Sequence, residues 1–250
     1  MREQAIAAPR PVERGLCRYI GRFMSPITVF RWSRRAAILA GIGAVVAMLV
    51  YPGGTFRDHS TSGYQFFHNF FSDLGTTVAF DGRPNHLGAV LFVASLVTVV
   101  VGMGATLVGF VRLYSKAPNA RTLARVAGVI GLFVCACFIA VAATPENRVL
   151  SLHVLVTRMA FRAFPGVALF LGLASRHVEG ISARATAAWF VLLVLLVAYV
   201  LILDFGPRAS TPVGLVVQVT AQKAVAVGAV LLLVYQAAHA ERLLSVERQS

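Results

Sequence analysis

The chain has 250 residues, 58% of them apolar and only 13% charged, with a mean hydropathy of +0.75 and a formal net charge of +13. Soluble domains carry roughly 25% charged residues, so half of the usual polar coat is missing and an ordinary water-soluble globule is excluded. Three cysteines, Cys17, Cys135 and Cys137, exclude a disulfide framework. The positive charge gathers at the ends of apolar runs, which points to lipid rather than nucleic acid.

Residues 1–33 read as a basic cytoplasmic amphipathic segment. Arg14, Arg18 and Arg22 recur every four residues on one helical face, and Leu16, Tyr19, Ile20, Phe23 and Met24 supply an apolar one. Such a helix lies on a membrane surface and binds its anionic cytoplasmic leaflet. Residues 34–240 form a six-helix transmembrane domain, and 241–250 a cytoplasmic tail. The spans are expected over 36–52, 85–111, 123–144, 149–174, 185–205 and 213–238, each long enough to cross a hydrocarbon core about 30 Å thick. Small residues such as Ala37, Gly41, Gly43, Gly128 and Gly131 are expected to let helices approach closely.

Lysine and arginine counts orient the bundle. With the N-terminus inside, sixteen basic residues flank the inner ends of the spans and four, Arg57, Arg83, Arg148 and Arg208, flank the outer ends. The positive-inside rule therefore places both termini in the cytoplasm. The predicted fold is all-α and polytopic, with six transmembrane helices and a short interfacial helix between helices 1 and 2.

That interfacial helix belongs to an insertion, residues 53–84, which packs His68, Asn69, Ser72 and Asp73 among aromatic rings. Ser60, Thr61 or Ser62 is expected to cap it and Gly75 to end it. Its rings suit a membrane interface. Counting along the spans puts Arg158 and Lys223 near mid-membrane, where an ionisable group is costly and faces the bundle interior with a partner. Asp73 and Asp204 are the best-placed acids. The expected result is an outward-opening polar cavity that includes His68, Ser72, Asp73, His153, Arg158 and Lys223, with Pro165 kinking the fourth helix. Candidate ligand-binding residues are His68, Asn69, Asp73, Glu146, His153, Arg158 and Lys223. Buried pairs that only fix helix register give the same pattern.

The run Asn69-Phe70-Phe71-Ser72-Asp73-Leu74-Gly75, with Thr144-Pro145-Glu146, His153 and Phe161 further on, resembles a six-helix bacterial and archaeal membrane family catalogued as domain of unknown function 998. The resemblance spans about residues 34–240 and implies an integral protein of the bacterial inner membrane with no established activity. The chain also resembles multi-pass hydrolases of the alkaline ceramidase type, which place serine, aspartate and histidine around zinc. Ser72, Asp73 and His153 are the corresponding residue types here, although the paired-histidine motif of those enzymes is missing.

Three functions follow as expectations. The leading one is a membrane protein whose polar pocket binds a lipid or small polar ligand, with membrane lipids as partners and no nucleic acid. The second is a zinc-dependent lipid or amide hydrolase with catalytic candidates Ser72, Asp73 and His153. Its metal candidates are His68, Asp73 and His153, with His86 as a substitute. The third is a small-solute transporter using Asp73, Arg158 and Lys223 as a charge relay.

Overall fold

The computed structural model describes residues 25–246. The basic segment expected over 1–33 lies outside the described residues up to position 24, as does the end of the tail. Six helices follow: α1 (Pro26–Val50), α2 (His86–Tyr114), α3 (Pro118–Ala143), α4 (Glu146–Ser175), α5 (Ala183–Phe205) and α6 (Pro212–Val246). Each is long and apolar enough to cross a membrane, and no strand occurs among the described residues. The chain is an all-α, six-span membrane protein.

Local chemistry sets the ends of these helices. Ser25 caps α1, its hydroxyl accepting from the Thr28 amide at 3.3 Å, with Pro26 at the first helical position. Ser182 does the same for α5 through the Ala185 amide at 3.2 Å. Pro118 and Pro212 open α3 and α6, and Pro52, Pro145 and Pro207 follow the ends of α1, α3 and α5. Two helices outrun their apolar spans. α1 begins at Pro26 rather than 36, and α6 runs to Val246 rather than 238. Backbone hydrogen bonds inside a helix need no apolar side chain, so α1 and α6 continue into polar sequence where they pack on each other. Arg34 there holds Glu241 through two bonds of 3.0 and 3.3 Å, and Arg31 approaches it at 3.9 Å.

Each helix packs on its neighbours in sequence, and α6 closes the ring against α1. Between α1 and α2, a Cβ on Gly109 would come within 2.7 Å of the Phe30 ring, which is itself fully buried beside Phe110. Gly43 lies as close against Ser95, and Gly131 against Leu107, whereas Gly41 faces open space and makes no helix contact. The marked irregularity of α4 falls at Val149, with φ −138° and ψ 52°. Pro165 sits inside the helix without ending it.

The insertion covers one end of the ring. It is mostly irregular, tied by antiparallel bridges Gly53–Ser62 and Val78–Pro84, and its helical part is a single 3-10 turn, Ser72–Gly75. Ser60 does not cap a helix. Its amide and hydroxyl bond Asp58 at 2.9 and 2.7 Å in a turn, which holds the Asp58 carboxyl below the usual range. Phe56, Phe66 and Phe67 are exposed, as an interfacial belt requires. The insertion is fastened to α4 by a reciprocal pair, the Thr77 amide to Asn147 at 3.1 Å and the Asn147 amide to the Thr77 hydroxyl at 3.0 Å. Arg57 donates to the Ser210 carbonyl between α5 and α6.

Candidate functional site

Asn69 organises the polar part of the insertion. It is fully buried, and its side-chain amide donates to the Gly54 carbonyl and to Asp73 Oδ2, both at 3.0 Å. Its Oδ1 accepts from the Gln65 amide at 2.9 Å. Asp73 Oδ2 also accepts from the Phe70 amide at 2.9 Å, while Oδ1 is buried with no hydrogen-bond partner. Burial pushes the Asp73 carboxyl up to about 8, reinforced by the Glu146 charge and opposed by the Asn69 and Phe70 donors and by Lys223.

Lys223 is buried, as span counting expects, but it does not form an ion pair with Asp73 within 4.0 Å. Its ammonium donates to the Asn69 backbone carbonyl and lies 5.1–5.3 Å from the ring centroids of Phe66, Tyr64 and Phe71. Three rings and a carbonyl therefore replace the carboxylate. The adjacent Gln222 accepts from the Phe71 amide at 2.8 Å, so consecutive residues of α6 seat the insertion.

Beside this seat, a cavity of about 660 Å³ opens between the insertion, α4, α5 and α6. Of the residues expected to line a polar cavity, Ser72, His153 and Arg158 line this one, together with Glu146. Asp73, Asn69 and Lys223 lie behind it, in the packing of the insertion, and His68 is exposed elsewhere on the insertion. His153 is buried, and its Nδ1 lies 2.7 Å from the Thr144 carbonyl, which fixes the ring. His68, Asp73 and His153 do not converge. Among the described residues no group of three His, Cys, Asp or Glu side chains is arranged to hold a metal ion.

Thr157, which shares a helical face with His153, lines the cavity too, and the lining residues that the sequence does not single out as site candidates are Tyr199 and Arg208. Tyr199 is the one hydroxyl in the second half of α5, where Asp204 is the one charged residue, and that is its only signal. Asp204 is held by Arg162 through bonds of 3.1 and 2.8 Å, and Arg158 bears on it through charge alone, without a hydrogen bond. Arg158 and Arg208 are exposed at the rim and bond to no acceptor in the described chain. Thr157 Oγ1 is buried without a partner.

Arg158 meets its neighbouring helix near that helix's end. Phe161 of α4 meets Tyr199 of α5 with ring centroids 4.7 Å apart. Arg158 stands three residues, about 4.5 Å, from Phe161 toward the insertion, which is level with the last turn of α5. It is nevertheless twelve residues inside α4, because α4 extends beyond the end of α5. Gln218 likewise donates to the Ile202 and Pro207 carbonyls at 2.8 and 3.2 Å, closing that end of α5.

A second, apolar chamber of about 180 Å³ occupies the middle of the ring, bounded by α2 to α6. Phe110, Phe138, Phe161, Phe164 and Trp189 contribute its rings.

No family model matches this chain, and neither a curated protein nor a solved structure matches it.

Proposed function

We propose that this multi-pass protein of the bacterial cell membrane binds an anionic ligand, a lipid headgroup or a small polar solute, in the cavity between α4, α5 and α6. In this reading both termini are cytoplasmic, the cavity opens to the extracytoplasmic side, and the chain is a member of the domain of unknown function 998 family. The observation that carries the reading is the pair of guanidiniums, Arg158 and Arg208, that face a 660 Å³ cavity without an acceptor of their own. Asp204 is taken up by Arg162, so Glu146 is the single carboxylate on the cavity wall left without an ion pair against these two cations. Thr157 offers a buried hydroxyl with no partner, and the exposed Val154 and Phe205 lead from the rim to the lipid.

Arginine suits this role because its planar fork binds phosphate or carboxylate with two parallel hydrogen bonds. The hydrolase reading needs His68, Asp73 and His153 around one ion, and the carrier reading needs a relay through Asp73, Arg158 and Lys223; of the second set only Arg158 lines the cavity. The test is calorimetry on the purified protein with glycerol phosphate as probe. Wild type is expected to bind it, and Arg158→Gln with Arg208→Gln to weaken binding by at least about tenfold. Equal binding by the folded double variant would remove the proposal.

A further inference from the structure

We infer that the ligand is an anionic amphiphile with one acyl chain, its head on Arg158 and Arg208 and a segment of that chain in the apolar chamber between α2 and α6. The inference rests on the headgroup reading above and adds the other half of the molecule. Polar cavity and apolar chamber are consecutive along the same faces of three helices. On α4, Thr157 of the cavity is followed one turn on by Phe161 of the chamber. On α6, Gln222 is followed by Val225. On α5, which runs the other way, Tyr199 of the cavity lies two turns from Leu192 of the chamber.

The two spaces meet at one pair of rings. Phe161 borders the chamber, Tyr199 borders the cavity, and they pack edge to face at 4.7 Å. A rotation of either side chain joins the spaces into one path with charge at its mouth and hydrocarbon at its end. The chamber, at about 180 Å³, exceeds the ~150 Å³ apolar cavity that stays dry and accepts benzene. It holds a hydrocarbon segment and rejects a hydrated head. An amphiphile fits this sequence of environments, whereas a small polar solute would leave the chamber empty. Phosphate and carboxylate heads satisfy the two arginines equally.

Trp189 provides a reporter because it lines the chamber and is 6% exposed, and the chain has only one other tryptophan, Trp32. Full-length Trp32→Phe protein in neutral-lipid nanodiscs is titrated with brominated palmitate and with a brominated-acyl lysophosphatidate. Bromine quenches indole on contact. Saturable loss of most of the Trp189 emission is expected, with the better of the two probes identifying the head as carboxylate or phosphate. Ala229→Phe, which fills the chamber, is expected to weaken quenching by about tenfold while leaving glycerol phosphate binding unchanged. If glycerol phosphate binds and neither brominated probe quenches Trp189 saturably, the chain assignment fails and the headgroup reading survives. If no probe binds, both fail. Because the comparison of probes is made in protein with an intact chamber, it decides the matter even where Ala229→Phe does not fold.

Discussion

Lys223 on α6 donates a hydrogen bond to the backbone carbonyl of Asn69, and the side-chain amide of the same Asn69 donates one to Asp73. The cation and the acid are thus joined through one asparagine and do not touch. A cation without a carboxylate is affordable here because three aromatic faces surround it.

Lys223→Met keeps the volume and removes the charge. The variant is expected to lose about 2 kcal/mol or more of stability, the scale of a desolvated cation–π contact, and to expose residues 53–85 to protease. An unchanged melting temperature together with unchanged cleavage would show that the rings do not hold the ammonium.

Asp73 sets a pH dependence. Its carboxyl is raised from 3.8 to about 8, so between those values the folded protein keeps a proton that the unfolded chain has released. The contribution to stability is full below the unfolded value and is lost as pH rises through about 8. Thermal stability in detergent should therefore fall between about pH 5 and about pH 9, and Asp73→Asn should flatten that slope. A slope that persists in the variant assigns the titration to another group.

Gly109→Ala places a methyl against the Phe30 ring, which is fully buried beside Phe110 and has no room to turn. A loss of about 1–3 kcal/mol is expected from overpacking, read as a lower melting temperature. Gly41→Ala, whose Cβ meets open space, is the control and should change little.

The Arg34–Glu241 pair closes α1 on α6 at the end away from the insertion, but Arg34 is 37% exposed. A double-mutant cycle with Arg34→Gln and Glu241→Gln is expected to give a coupling of about 0.5–1 kcal/mol that declines with added salt. A coupling of several kcal/mol would mean that the pair is sheltered from solvent in the membrane.

Orientation is tested by a reporter fused after Gly82. Activity restricted to the extracytoplasmic side is expected from the excess of basic residues at the other end, and a cytoplasmic signal would invert the bundle.

The six spans were legible because hydrocarbon demands long apolar runs, and the polar weight of residues 64–75 was visible from composition. Facing was not legible. α5 is apolar almost all round, so nothing in its sequence says that Tyr199 turns toward Phe161. Span counting also assumes that helices end together, whereas α4 overshoots α5 and Arg158 stands level with the last turn of α5. Lys223 was assigned a carboxylate because acids are counted more readily than ring faces, which depend on the path of an irregular loop. The Arg162–Asp204 bond was missed for a related reason: a long arginine reaches up its own helix to an acid at the end of the next.

The closed ring has a consequence for biogenesis. Five helices enter the membrane ahead of α6, and each finds its neighbour already present. The residues that fasten the insertion, Gln222 and Lys223, arrive only with α6. Until then the segment made early in translation has its internal bonds but no seat, and Asn69 and Phe71 wait for partners encoded some 150 residues later. The mouth of the cavity is therefore completed in the same step that closes the wall.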